Sequence, residues 1–483
     1  MLTHARRLAM LASLCASSAF AQFELITTQT ISGEATDFSK LEGTGPEGLP
    51  NNLLGSFGSG IDYDPATRTY VSVCDRGPFD GASDFHCRVQ IFRIATNLRS
   101  KEELQVKLIK TVLLTAADGS PFRGSLNRTE PKLPAPDGSE TKIPQRYDPE
   151  SIRVAQAGPA GKGTWWIADE YGPWIDQFDE TGKHLRRLQL PPRYGIAKPA
   201  ATYQEEMPPA NTAGRQANRG FESLAISPDG TRLFVITQSP LIQDNSLDDR
   251  NRRKGLNMRL LEVTLPAAWE TDQKSAEKPA FKEYLYQLDD ARDGVNEIYA
   301  FGNTDLLVLE RDGKGGFESK RRGLFRVSVA GDSPLNKNQQ PTDISSIEAL
   351  PRDEVPDGVI PLTKLSVLNF MDEKWQLVND QMPEKIEGIT LGPEIDGRRV
   401  LIVTSDNDLQ PAQPTRFWLF LWNPAKSELP ALPKVDPAEE HPAPAEPDAV
   451  PAADPTKEQP PAAPTQPAAD PLIHPAPTDT PKH

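Results

Sequence analysis

Histidine and cysteine are scarce in this chain of 483 residues, with six of the first and three of the second. Only His86 and His184 lie between the N-terminal segment and the C-terminal tail. Zinc and copper centres, which draw on several imidazole or thiolate ligands, therefore lack a donor set. A Ser-His-Asp triad would have to use His86, because His184 sits in the turn of DETGKHL. No G-x-S-x-G elbow, P-loop or dinucleotide fingerprint occurs. Basic residues are also in deficit. A net charge of −15 disfavours phosphate-neutralising contact with nucleic acid. It suits a soluble protein that binds cations, or one that meets an anionic substrate through bound metal. After the N-terminus, no apolar run is long enough to span a bilayer.

The N-terminus carries a secretory pattern over residues 1–21. Arg6 and Arg7 precede the apolar run LAMLASLCASSAF, and Ala19-Phe20-Ala21 supplies the small-x-small cleavage site. The mature chain is expected to begin at Gln22, and Leu14 before Cys15 argues against lipoprotein processing. Export is expected, periplasmic or secreted, most simply into a Gram-negative periplasm. Two cysteines then remain, Cys74 and Cys87, and an oxidising compartment predicts a disulfide between them. The alternative is a pair of buried free thiols.

Short apolar runs separated by turn residues fill the chain between residues 22 and 430. Firm hairpin signals are Gly158 to Gly163, Pro228-Asp229-Gly230, Gly302-Asn303 and Asp396-Gly397. FELITTQTI reads as an edge or closing strand, and RFWLFLWN as a strong last strand. Five units share a plan: a polar residue, a short apolar strand, a turn and a second strand ending in a polar residue. They begin at Ser59, Glu150, Glu222, Glu297 and Glu387, and their second strands end at Asp75, Asp169, Gln238, Glu310 and Asp406. Such repeats predict an all-β chain folded as a β-propeller of about six blades. Five are recognisable, and residues 331–370 are a candidate degenerate sixth. The units exceed a bare WD-type blade of about 40–45 residues, so long loops must project from them. Residues 431–483 are rich in proline and alanine, with no aromatic residue, and predict a disordered tail. That tail is a solubilising extension or a spacer contacting the cell envelope.

In a propeller the innermost strands line a channel, so the leading acids gather at one mouth. Converging carboxylates repel unless protons or a cation intervene, and their hard oxygens suit Ca²⁺. Glu150, Glu222, Glu297, Glu387 and Asp406 are the candidate metal ligands; the alternative is that they cap backbone amides structurally. Arg76, Arg219 and Arg311 accompany them and are candidates for binding a phosphate or other oxyanion; balancing the acidic ring is their alternative role. Hydrolysis would use water activated at the metal, with a channel carboxylate as base. Glu150, Glu222 and Asp169 are the candidate catalytic residues. Trp165, Trp166 and Trp174 are either a stacking wall or blade packing.

The stretches GSGIDYDPATRTYVSVCDRGP, YDPESIRV…WWIADEYGPWIDQFDETGKHLRRLQLP, NRGFESLAISPDGTRLFVITQSPL, NEIYAFGNTDLLVLERDG and KIEGITLGPEIDGRRVLIVTSDND resemble the "esterase-like activity of phytase" family over about residues 45–425. The resemblance implies an exported propeller acting as a phosphoesterase or phosphodiesterase on a small-molecule substrate. The acids it carries over are Asp75, Glu150, Asp169, Glu170, Glu222, Glu297, Glu310, Glu387 and Asp406. Ser59 and Gln238 depart from the acidic pattern. A monomer is expected. Two other readings stay open: a lactonase-like hydrolase, and a non-catalytic propeller binding a ligand or envelope protein with structural calcium.

Overall fold

The computed structural model describes residues 23–423, apart from 46–47, 56, 83, 96–103, 126–131, 136–141, 201, 273 and 396. The secretory segment, the C-terminal tail and Asp396 of the last predicted turn lie outside the described residues.

Alternating apolar residues and tight turns produce 22 strands among the described residues. In chain order, β1 spans Phe23–Ile31 and is followed by β2 (Gly60–Asp64), β3 (Thr69–Val73), β4 (Arg88–Ala95) and β5 (Gln105–Leu113). A small hairpin, β6 (Lys132–Pro134) with β7 (Lys142–Pro144), precedes β8 (Pro149–Val154), β9 (Trp165–Asp169), β10 (Trp174–Phe178) and β11 (His184–Arg187). Next come β12 (Phe221–Ile226), β13 (Arg232–Thr237), β14 (Asn257–Thr264) and β15 (Ala280–Gln287). The last two groups are β16 (Asp293–Ala300), β17 (Asp305–Asp312), β18 (Arg322–Ser328) and β19 (Leu365–Asn369), then β20 (Ile386–Ile395), β21 (Arg398–Ser405) and β22 (Thr415–Trp422).

All of these strands except β6 and β7, which form a two-stranded sheet of their own, make five antiparallel four-stranded sheets, blades 1 to 5, in the orders β2-β3-β4-β5, β8-β9-β10-β11, β12-β13-β14-β15, β16-β17-β18-β19 and β20-β21-β22-β1. The innermost strands β2, β8, β12, β16 and β20 neighbour one another in a closed ring. Closure is by pairing of β1 with β22, so the N-terminal strand becomes the outer edge of blade 5. The sixth blade expected from residues 331–370 is absent: its one strand, β19, pairs with β18 and completes blade 4.

Five hydrophobic clusters fill the gaps between adjacent blades. Inner strands such as β8 and β9 are buried on both faces, whereas β5 at a blade's rim alternates towards solvent. Trp165 and Trp166 belong to two of these interblade clusters and Trp174 packs against one, so the tryptophans serve blade packing.

The predicted disulfide does not form, and Cys74 and Cys87 are buried free thiols. The register explains why. Val73 faces Val89 across β3 and β4, which sets the two cysteines one residue out of step. Successive side chains of a strand point to opposite faces. Cys74 accordingly joins Leu53, Phe85 and Leu409, whereas Cys87 joins Val71, Val73 and Val89.

Arg153, buried in β8, blocks the channel. Its guanidinium donates to the carbonyls of Ile61 at 2.7 Å, Ile152 at 2.8 Å, Ile298 at 2.7 Å and Ile389 at 3.4 Å. It also pairs with Glu297 at 3.0 Å. Glu297 in turn accepts from Ser151 Oγ at 2.9 Å and from the Leu224 amide at 3.3 Å. One ion pair thus reaches all five inner strands. Removing one member of a buried pair typically costs about 3–5 kcal/mol, because the other charge is left uncompensated. Arg153→Met should destabilise the protein by that amount in denaturant melts, and the double variant Arg153→Met/Glu297→Met by less. Equal or larger loss in the double variant would show that the charges themselves do not set the cost.

Candidate functional site

The acids reach the channel mouth through a repeated irregularity of the inner strands. In β8 the register shifts between Pro149 and Ser151, in β12 between Phe221 and Ser223, and in β20 between Ile386 and Gly388. The extra residues are Glu150, Glu222 and Glu387. A bulge re-aims a side chain that strand alternation would direct elsewhere. In β16 the shift falls between Val295 and Glu297, so the equivalent residue is Asn296. In blade 1 the position belongs to Ser59, just before β2. Glu297 is therefore one step deeper than the other leading acids, level with Ser151, where it meets Arg153 instead of joining Glu150 and Glu222. Gly60 shares that deeper level by register, and a Cβ there would lie 2.6 Å from Ser151 Cα.

The second strands show a similar one-residue offset in two blades. Pro149, Phe221, Val295 and Ile386 pair with Asp169, Thr237, Glu310 and Ser405. The residues that follow these partners are Glu170, Gln238, Arg311 and Asp406, with Asp75 in blade 1. Asp169 turns away from the mouth and accepts the amides of Asp148 at 2.8 Å and Gly172 at 2.7 Å. Glu310 also turns away. It accepts from Lys364 Nζ at 2.6 Å and from the Tyr286 hydroxyl.

Two groups of carboxylates at the mouth bring their oxygens within 4.8 Å of one another: Asp148 with Glu150 and Glu170, and Asp75 with Asp406 and Asp408. Arg76 lies against the first group, pairing with Asp148 at 2.5 Å and Glu170 at 3.4 Å. Lys385 lies against the second, 3.3 Å from Asp406 and in contact with Asp408. Arg311 pairs with Glu387 at 2.6 Å. Arg219 contacts the amide oxygen of Gln238 and, among the described residues, has no ion pair. Asn296, with its amide oriented to suit its neighbours, accepts from Gln238 at 3.0 Å and from Arg311 at 3.3 Å.

Eight carboxylates thus face four cations, and all but Asp408 of these acids are buried. Burial, reinforced by the charges of Glu222, Asp148, Glu170 and Glu387, holds Glu150 well above the ordinary carboxyl range. Glu222 is raised likewise, by burial and then by Glu387 and Glu170. Burial also pushes Asp75 and Glu170 each up to about 7 against the pull of nearby cations. Outside the mouth, it pushes Asp169 and Glu297 each up to about 8. No hydrogen bond or ion pair to the Glu150 or Glu222 carboxylate is found among the described residues, and Glu170 Oε1 and Glu387 Oε2 are buried without a partner. Such orphaned oxygens are costly unless a proton or cation meets them. The donor set is all oxygen, which fits a hard divalent ion such as Ca²⁺.

Of the sequence-predicted residues, the mouth brings together Asp75, Glu150, Glu170, Glu222, Glu387, Asp406, Arg76, Arg219 and Arg311, and leaves Asp169, Glu297 and Glu310 outside. The mouth also takes in Asp148, Lys385 and Asp408, which a repeat aligned on its glutamates does not mark. Aligning the units on Ile61, Ile152, Leu224, Ile298 and Ile389 rather than on glutamates would have placed Asn296 correctly and set Lys385 opposite Asp148.

A cavity of about 670 Å³ lies elsewhere, at the edges of blades 2 and 3 beside Trp174, Arg186 and Trp269. Arg186 stacks on Trp269 there, and Arg187 on Trp174.

The chain is 28% identical over 500 residues to an uncharacterized secreted protein of Arthroderma benhamiae, covering 83% of this chain and 93% of that one. Among solved structures, a calcium-binding regucalcin from Agrobacterium tumefaciens aligns at 12% identity and a TM-score of 0.29, over 82% of this chain and 95% of that one. The allergen Mala s 1 of Malassezia sympodialis aligns at 9% identity and a TM-score of 0.35, over 78% and 80% respectively. At these scores the structural likenesses bear on neither site nor activity. The family model "Phytase-like: Esterase-like activity of phytase" matches residues 52–409, from before the first blade to the loop after β21. The chain belongs to this phytase-like family.

Proposed function

We propose that this propeller is an exported, Ca²⁺-dependent hydrolase of ester bonds, with phosphoesters as its substrate class. The observation that carries the reading is an oxygen-lined mouth where, among the described residues, no hydrogen bond or ion pair reaches the Glu150 or Glu222 carboxylate, beside an Arg219 guanidinium that feels the charges of Glu222 and Glu170 without an ion pair to either. Family membership supports ester hydrolysis, and the secreted relative supports export. Asp148, Glu150 and Glu170 would hold the ion, with Glu222, Glu387 and Asp406 around it. A divalent ion there would supply Lewis acidity and positive charge. Arg219 is placed to receive a phosphoryl oxygen, and Arg311 and Arg76 to hold the surrounding acids in position. Glu222 would be the base for an incoming water, since burial and the charges of Glu387 and Glu170 raise its affinity for protons. Arg153 closes the channel below, so substrate and water share one entrance. Asp169 and Glu297 are engaged with amides and with Arg153, and stand outside this set.

The second reading is a non-catalytic binding propeller, favoured by the ion pairs that already occupy Arg76 and Arg311. A panel of phosphodiesters, phosphomonoesters and lactones, assayed with Ca²⁺ and after chelation, separates the readings. Phosphoester turnover lost on chelation is the expected result. Turnover confined to lactones would move the substrate class. No turnover at all, with thermal stability still falling on chelation, would favour binding alone. Glu222→Gln should lower kcat by about 10²–10⁴-fold, the usual contribution of a general base, with folding intact; unchanged kcat would remove Glu222 from the mechanism.

The raised acids also predict a pH dependence. Their folded-state values near 7 to 8 exceed the ordinary 3.8 and 4.5, so the folded state binds protons more tightly than the unfolded chain does. Their stabilising contribution is full below about pH 4 and is lost as pH rises through 7 to 8. Tm in chelator should fall between pH 5 and 8.5, and Ca²⁺ should restore it most at the alkaline end. A flat or rising Tm in chelator would contradict the burial argument.

A further inference from the structure

The blades carry matching positions around the mouth, and blades 2 and 5 differ at one of them. In blade 2 the residue before the bulged strand is Asp148, and it completes the carboxylate group with Glu150 and Glu170. In blade 5 the residues at those three positions are Lys385, Glu387 and Asp406. Lysine thus replaces an aspartate at the repeat position. Its Nζ lies 3.3 Å from Asp406 Oδ2 and contacts Asp408 Oδ1, two of the three acids in the second group. The third, Asp75, accepts the Gly77 amide at 2.9 Å. The second group therefore already holds a cation, supplied by the chain. In the first group Glu170 Oε1 is buried without a partner and Glu170 is only 1% exposed, although Arg76 stands nearby. A three-acid group and its cation thus meet on each side of the mouth; among the described residues the blade 2 group keeps a buried oxygen without a partner, whereas the other such oxygen at the mouth, Glu387 Oε2, lies outside both groups.

We propose that Lys385 is a resident cation that limits the mouth to a single divalent ion, held on the blade 2 side by Asp148, Glu150 and Glu170. The inference rests on the metal-dependent reading above and refines it. The Asp75–Asp406–Asp408 group would accept a second ion only if the ammonium were removed. An ammonium and a hard divalent ion compete for the same carboxylate oxygens, and the tethered group has the higher effective concentration. Lys385 is a positioning residue in this account, since it acts through the acids it occupies.

Calcium titration of the purified mature chain, by calorimetry and by equilibrium dialysis with Ca²⁺ alone, tests the assignment. One ion per chain is expected for the wild type and two for Lys385→Met. Adding Asp408→Asn to Lys385→Met should return the count to one, and Asp148→Asn in the wild-type background should abolish the site. Circular dichroism of each variant separates loss of binding from loss of fold. Two ions in the wild type, or one in a folded Lys385→Met, would overturn the proposal. If Lys385→Met fails to fold, Asp408→Asn alone decides: a count unchanged from one supports the proposal, and a drop to zero overturns it. No calcium binding by the wild type would instead overturn the metal-dependent function. One ion without ester turnover would overturn the hydrolase while leaving the role of Lys385 intact.

Discussion

Arg153 is the constraint around which the propeller is arranged. A closed ring of strands leaves an axial hole lined by backbone, and inward carbonyls there need donors that strand pairing does not supply. A single guanidinium meets four of them, at the same repeat position in four blades, and Glu297 ties in the fifth through the Leu224 amide. Arginine suits this place because its planar fork offers five donors and stays charged when buried. The cost of burying that charge is offset by Glu297 and by the carbonyl dipoles.

With the axis closed at that level, everything above it becomes a cup with one opening. Bulges in three inner strands turn their acids into the cup, where burial and mutual repulsion raise proton affinity. The cations are distributed unevenly: Arg76 on blade 1, Arg219 on blade 3, Arg311 on blade 4 and Lys385 on blade 5. The mouth acids without a hydrogen bond or ion pair among the described residues are Glu150 of blade 2 and Glu222 of blade 3. Fivefold architecture thus carries a one-sided electrostatic centre, and that asymmetry is what chemistry at the mouth would use.

Most of the architecture was legible in residues. Turns at Asp229-Gly230 and Gly302-Asn303, period-two apolar runs and the recurrence of acid before strand sufficed for a propeller with an N-terminal closing strand. Five recognisable units were the whole set. Residues 331–370 invited a sixth because an outer strand, β19, is separated from its sheet by a long loop, and strand pairing over such a distance leaves no local signature. The disulfide expectation failed for a related reason: proximity in sequence says nothing about which face of a sheet each cysteine occupies.

Which acids share the mouth was decided only by tertiary structure. Glu297 and Glu310 look like Glu150 and Asp406 when units are aligned on charge, yet each lies one residue out of phase. In a strand one residue is the difference between facing the axis and facing a neighbouring blade. The bulge at Asn296 and the partners waiting at each face, Arg153 for Glu297 and Lys364 for Glu310, settle the matter through backbone register. Residue types and spacing determined by themselves that this chain folds as a propeller with acids near one end. Register and ring closure decided which of those acids meet, because sequence records the order of side chains but not the direction in which a bulged strand points them.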